Sequence, residues 1–344
     1  MKNLIIVVLS AVCIVLLGTI IFSKDKGAVD TAVNDKPFAG VTIRLAKQYG
    51  MQYATVYIVE KMNLLEKYLP GATIEWSSFG GGAAITEALI SGHLDVGFMG
   101  MPPAVIAIDK GADLKIASGV CVPPFDLMVK EERLQSIADF TPQDKIAIPG
   151  ISSIQHILLS IAARDKLNKA RDFDSNMVAM ANPDAYSSLV SGTEIVGHLT
   201  TMPFLELEAR QGFRSILTGK EAYGDASIVC VTTGKFHSNP SVYAGLIGAL
   251  NEAMDLLNSQ DPKVLEIIAE VEKISIDDAK AFLDWPDTNY TANIYGLMGI
   301  ANYMYEVGYI KNKPELNKLV WENARALIGK RTGEVSPVEK ILGQ

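Results

Sequence analysis

The sequence predicts an α/β protein made of two similar doubly wound lobes, and three observations lead there. Short apolar runs alternate with amphipathic segments from Val41 to Thr233, the order that builds strand–helix–strand crossovers. Ser78 to Pro103, SFGGGAAITEALISGHLDVGFMGMPP, reads as loop, helix, strand and loop, with Ile85, Leu89 and Ile90 at helical spacing. That stretch then has an echo: Ser91, Gly92, Val96 and Gly97 recur as Ser191, Gly192, Val196 and Gly197, displaced by 191 − 91 = 100 residues. Each copy follows an amphipathic helix and precedes another, so the chain reads as two α/β units.

In chain order, Val41 to Ala46 is the first strand, ending at Lys47-Gln48-Tyr49-Gly50, and a helix follows from about Gln52 to Tyr68. Ala72 to Trp76 is the second strand. Gly80, Gly81 and Gly82 then lead into the helix over AITEALI, Asp95 to Met99 is a strand, and Pro102-Pro103 opens a further helix. Strands at Lys115 to Val122 and Phe125 to Lys130 follow. The second unit begins near Phe140, with a strand at Lys145 to Ile148, a turn at Pro149-Gly150, and Ser152 or Ser153 as N-cap of a helix from Ile154 to Lys166. Met177 to Met180 is a strand, Asn182-Pro183-Asp184 starts a helix, and Ile195 to Leu199 is the echo strand. Ser227 to Thr233 is an extended run that returns the chain to the first lobe. Beyond it the sequence is nearly all helical, with Pro240, Pro262 and Pro314 near helix starts.

With 344 residues, 49% of them hydrophobic, the chain can bury a large core, and its length favours two domains. A net charge of −8 argues against nucleic acid as a partner. Leu4 to Phe22 carries no charge over 19 residues, about 28 Å of helix and so close to a bilayer's thickness. Residues 1–23 are expected to be an export signal or, more in keeping with the length of the apolar run, an uncleaved membrane anchor; residues 24–37 form a polar tether. Outside the anchor only Cys121 and Cys230 remain, each inside an apolar run. Two buried thiols are expected, with a single disulfide as the alternative in an oxidising compartment.

Ligands of doubly wound sheets contact loops at the carboxyl ends of strands, which singles out Gln48, Tyr49, Gly80 to Gly82, and Met99, Gly100 and Met101. Three successive glycines before a helix allow a ligand to approach the backbone N–H groups there. Ser153 and Ser152 are helix caps whose second hydroxyl is free for binding. Enzymatic readings fare worse. His93, His156, His198 and His237 are scattered without metal-ligand spacing, GISSIQH is not a GxSxG elbow, and GxxxxGK[ST] is missing. No cofactor and no metal site is expected.

EALISGHLDVGFMGMPPAVIA, IAIPGISSIQHILL, NPDAYSSLVSG and TTGKFHSNPSVYAGLIGALNEAMD resemble the solute-binding proteins of ABC importers, in the group that takes up nitrate, taurine, alkanesulfonates and thiamine-precursor pyrimidines. ANYMYEVGYIKNKPELNKLVWEN is similar to the group's C-terminal helices, so the resemblance runs from Phe38 onward. It implies two lobes joined by two crossing strands, with the ligand cleft between them. Lobe 1 would hold residues 38–132 and 228–344, and lobe 2 residues 133–227. Thr200 and Thr201, ending the echo strand, would face the cleft from the second lobe, and Trp285 would wall it. The implied partners are a small-molecule ligand and an ABC permease with its ATPase, the protein being a monomer held outside the cytoplasm. An exported enzyme or sensor domain on the same fold is the alternative. The named loops carry few cations, Lys47 being the nearest, so a monoanion or polar ring held by N–H groups and hydroxyls fits better than a divalent oxyanion.

Overall fold

In the computed structural model, described over residues 36–329, the chain forms two five-stranded mixed sheets with helices packed on them. Strand β1 (Thr42–Lys47) buries Ile43 and Leu45 and pairs parallel with β2 (Thr73–Ser78) and β3 (Val96–Gly100). The single helix expected over Gln52 to Tyr68 is a short 3₁₀ turn, then α1 (Ala54–Lys61) and α2 (Leu64–Tyr68). Asn63 interrupts it at φ 52°, a left-handed conformation that Asn tolerates better than most residues. Helix α3 (Gly82–Ile90) links β2 to β3, and α4 (Met101–Asp109) links β3 to β4 (Leu114–Cys121).

The chain then crosses to the second sheet through β5 (Asp126–Val129). It continues as β6 (Lys145–Ile148), α5 (Ile154–Leu167), β7 (Met177–Ala179), α6 (Asn182–Ser191) and β8 (Ile195–Thr200). After α7 (Phe204–Arg210) come β9 (Arg214–Thr218), the short α8 (Gly219–Ala222) and β10 (Ile228–Thr233), which re-enters the first sheet. A helical run closes the described chain: α9 (Gly234–His237), α10 (Pro240–Asn258), α11 (Pro262–Glu272), α12 (Ile276–Leu283), α13 (Leu297–Glu306) and α14 (Leu316–Leu319). Helix α10 packs on α1 and α2, whereas α13 touches both α4 and α5 and so spans the two sheets. At that junction the Ser160 and Tyr303 hydroxyls lie 2.6 Å apart.

The sheet orders are β2-β1-β3-β10-β4 and β7-β6-β8-β5-β9. In each, four strands run parallel and the strand in fourth place runs antiparallel, and that strand is supplied by chain arriving from the other sheet. Strand β5 therefore belongs with β8 and β9, not with the first unit as the boundary at residue 132 required. The crossing is made at Val122 to Phe125, before β5, because an apolar strand buried at three of its four positions fits between β8 and β9. Strand β9 was not expected from the sequence at all. It is a sheet edge with one buried residue in five, and so lacks the apolar signal of the central strands.

The echo has a structural cause. Gly92 and Gly192, at φ 77° and 73°, stop α3 and α6 in a left-handed turn that Gly adopts without strain. Val96–Gly97 and Val196–Gly197 then lie on β3 and β8, the central strands of the two sheets. Cys121 stands opposite Ile228, and Cys230 stands opposite Phe98 and Ser118; both are free, buried thiols. The apolar run Leu4 to Phe22 and nearly all of the tether lie outside the described residues. Among the described residues no helix is long and apolar enough to cross a membrane.

Candidate ligand-binding site

The carboxyl ends of β1, β2, β3 and β6 bring their loops to one small cavity of about 20 Å³, room for little more than one water centre. Gln48 and Tyr49 follow β1, Gly80 and Gly82 follow β2, and Gly100 ends β3. From the other sheet come Pro149, Ser153, Ile154 and Gln155 after β6, and Asn182 after β7. Glycine makes this apposition close. A Cβ on Gly100 would lie 2.9 Å from Ile154 Cβ, and one on Gly81 would lie 2.2 Å from the Pro149 carbonyl oxygen. Gly81 therefore serves the approach of one loop to another, where the sequence suggested approach to a ligand.

The first turns of α3, α4, α5 and α6 all border the cavity, through Gly82, Pro103, Ile154 with Gln155, and Asn182. Their positive dipole ends lie at the cavity, although Pro102, Pro103 and Pro183 bring no N–H to the first turns of α4 and α6. None of the lining side chains is charged. Lys47, the cation closest in sequence, is paired with Glu60 and lies over the rings of Tyr57 and Trp76. The polar lining is supplied by amides and hydroxyls. Gln48 Nε2 donates to Phe98 O at 3.0 Å, tying the end of β1 to β3, and Gln52 Nε2 donates to Tyr49 O at 3.0 Å. Gln52 Oε1 is buried without a partner among the described residues. A buried polar atom left so is costly unless another molecule completes it.

Of the residues the sequence singled out, Gln48, Tyr49, Gly80, Gly82, Gly100 and Ser153 line this cavity, and Gly81 adjoins it. Ser153 is also the N-cap of α5, its Oγ accepting from His156 N at 3.3 Å. Ser152 does not line it; at φ 67° it turns its N–H to His156 Nδ1, 2.9 Å away. The ring's other nitrogen meets Asp174 Oδ1 at 2.9 Å, and burial lowers the His156 pKa more than Asp174 raises it. Met99 and Met101 are fully buried and form the floor of the β3–α4 turn. Thr200 and Thr201 are likewise fully buried and miss the cavity, because β8 is a central strand whose end runs directly into α7. The same segment joins the two halves by backbone instead, Met51 N donating to Met202 O at 2.9 Å. Trp285 is elsewhere: with Phe125, Asp126, Thr218 and Lys220 it lines a separate cavity of about 200 Å³ beside the segments that cross between sheets.

Residues 41–272 match the NMT1-like family. The chain belongs to the NMT1-like family. It is 24% identical over 288 residues to a protein of Escherichia coli (strain K12) named as an aliphatic sulfonates-binding protein, covering 80% of this chain and 89% of that one. Among solved structures it is similar to the periplasmic aliphatic sulphonate binding protein SsuA of Escherichia coli (22% identity, 83% of this chain and 99% of that chain, TM-score 0.65). The MOPS-bound alkanesulfonate-binding SsuA of Xanthomonas axonopodis pv. citri matches at 20% identity over 85% and 99%, with TM-score 0.68. The periplasmic nitrate-binding protein NrtA of Synechocystis PCC 6803 matches at 13% identity over 83% and 87%, also at TM-score 0.68. These likenesses show a shared fold.

In this NMT1-like protein the sequence missed Gln52, Tyr53, Gln155 and Asn182 at the cavity, along with Pro103, Pro149, Ile154 and Ile228. Gln155 and Asn182 occupy first turns of helices, where the sequence pattern signals only a helix. A signal for Asn182 was nevertheless present. Displaced by the echo's 100 residues, Gly82 becomes Asn182, and each begins its helix and lines the cavity.

Proposed function

We propose that this chain is the solute-binding component of an ABC importer, working outside the cytoplasm. It captures a small anionic or polar organic solute of the sulfonate, taurine, nitrate or pyrimidine class and hands it to a permease driven by its ATPase. The observation that carries this reading is a cavity where helix N-termini from both sheets meet side-chain amides and hydroxyls, with no charged side chain among the described lining residues. That combination suits one negative charge or a polar group, held by N–H donors and not by a salt bridge. What the sulfonate- and nitrate-binding relatives are named for agrees with it.

In this reading the chain acts as a monomer in two lobes, one of residues 38–121 with 228 onward and one of residues 126–227, joined by the crossing segments. Solute between the lobes favours the closed arrangement over an open one, and the permease reads that closure. Residues 1–23 would hold the protein at the membrane. The cavity lining pairs no nucleophile with a base, which is what an enzyme on this fold would need.

A thermal-shift panel of butanesulfonate, taurine, nitrate and a hydroxymethylpyrimidine tests the proposal, followed by calorimetry and mass analysis of the recovered compound. Binding of one equivalent of an unchanged compound is expected, with a melting temperature that rises with its concentration. Chemical conversion of the compound would reassign the chain to an enzyme, and silence across the panel would remove this solute class.

A further inference from the structure

Directly behind the cavity lies a buried pair of titratable side chains. His198 on β8 and Glu208 on α7 are both fully buried, with Nδ1 and Oε1 2.6 Å apart. The other ring nitrogen, Nε2, faces Asn182 Oδ1 at 3.4 Å. Asn182 is itself only 4% exposed and borders the cavity, and its Nδ2 has no hydrogen bond to the described residues. We propose that Asn182 donates its amide nitrogen to the solute, and that His198 and Glu208 are positioning residues that keep that nitrogen turned to the cavity. The solute then carries an acceptor oxygen at this point. The inference deepens the solute-binding reading and rests on it.

An O–H at Glu208 Oε2 would have no acceptor among the described residues, and with that placement set aside three protonation states of the pair leave a hydrogen bond between Nδ1 and Oε1. Carboxylate with imidazolium is neutral overall, and so is carboxylic acid with neutral imidazole; carboxylate with neutral imidazole has a net charge of −1. In a site with no solvent contact, and with Glu208 Oε2 already lacking a partner, the net charge is the costly choice. Burial also raises the Glu208 pKa, against the opposing pull of His198. Both neutral arrangements have a proton on Nε2. That proton is donated to Asn182 Oδ1, whereas the flipped amide would set two donors face to face. The pair thus turns Asn182 into a donor without placing a charge in the cavity.

Two measurements test this. The first is a long-range proton–nitrogen correlation spectrum of the ligand-free protein at neutral pH, which reads the ring nitrogens of His198 and does not depend on any ligand. A protonated Nε2 is expected; a bare Nε2 overturns the proposal. The second is a cycle in calorimetry with butanesulfonate and nitrate as probes. Asn182→Asp should weaken binding at least about tenfold, as expected for loss of a donor to a charged acceptor. The double variant His198→Leu/Glu208→Met replaces the buried pair by apolar groups, a change that folded proteins often tolerate. Its melting temperature should stay near wild type while affinity falls about fivefold, and that fall should vanish in an Asn182→Ala background. Equal losses in both backgrounds would mean a structural role only and would overturn the positioning claim. If wild type binds neither probe, alkanesulfonate and nitrate leave the solute class, and the spectrum still decides the orientation of Asn182.

Discussion

Replacing Gly81 by Ala tests the apposition of the two halves most directly. The added Cβ would lie 2.2 Å from the Pro149 carbonyl oxygen and 3.2 Å from its carbon. A tolerable C···O contact is about 3.3 Å, so the loop after β6 and the start of α3 must part by roughly 1 Å. The obstacle is backbone, which has no rotamer to give. Gly81 itself is extended at φ −165°, a conformation open to any residue, so Ala costs nothing when the loops are apart. If the two lobes open and close as proposed, the penalty falls on the closed arrangement alone. Overpacking costs about 1–3 kcal/mol, and as a differential cost it becomes about a 5- to 150-fold loss of affinity.

Gly80→Ala is the control, since its Cβ would meet Ala181 Cβ at 3.5 Å, an ordinary contact. Calorimetry with the panel compound that binds wild type should show a large loss for Gly81→Ala and almost none for Gly80→Ala. The ligand-free melting temperature should be unchanged in both. Wild-type affinity in Gly81→Ala, or a fall in ligand-free stability large enough to account for the loss, would refute the reasoning.

Other predictions follow from the same structure. Burial pushes the Glu272 carboxyl up to about 8, so the folded chain keeps this proton while the unfolded chain loses it above about 4.3. Its contribution to stability is full below that lower value and is lost as pH rises to about 8. Glu272→Gln should thus melt higher than wild type at pH 8 to 9 and show no such advantage below pH 5. His156 is held neutral by burial, and its stabilising share is present above about pH 6.5 and lost as pH falls. Proton NMR should place its titration midpoint below that value. Gly97→Ala would bring a Cβ to 2.4 Å from Ile85 Cγ2, whereas Gly197→Ala meets nothing nearer than 3.4 Å. Denaturant melts should show a loss of about 1–3 kcal/mol for the first and little for the second. Cys121 and Cys230 are fully buried, with thiol pKa values raised by desolvation. In a chain beginning at Lys36, both should react with a disulfide reagent only after unfolding, and equal reactivity in the native state would contradict their burial.

Much of the fold was legible because its elements carry strong local signals. Proline and Asn-Pro starts fixed α6, α10 and α11 at Asn182, Pro240 and Pro262, and KIAI gave β6 to the residue. What local signals could not show was partnership. DLMV reads as a strand in either sheet, and only the long-range pairing of Asp126 with Thr200 and Thr218 assigns it. The break at Asn63 was equally hidden, since the apolar spacing continues across it from Val59 to Leu64 and Leu65.

The site divides along the same line. Rules about strand ends located Gln48, Tyr49, Gly80, Gly82 and Gly100, all defined by where the backbone goes. The same rule does not bring Thr200 and Thr201 to the cavity, since both are fully buried where β8 runs into α7, and the segment meets the other half through the Met202 carbonyl. Applied as a pair, the rule and the repeat would have done better. Displacing the first half by about 100 residues carries Gln48 and Tyr49 to Pro149 and its neighbours, and carries Gly82 to Asn182. The two halves thus offer matching loops, but they fill them differently: small residues after β2 let the backbone come close, and Asn182 after β7 brings a side-chain amide. That asymmetry follows from what closure demands. Facing side chains would hold the loops apart, whereas glycine at 81 and 100 lets one half approach Pro149 and Ile154 of the other, and Asn182 borders the same cavity with His198 and Glu208 behind it.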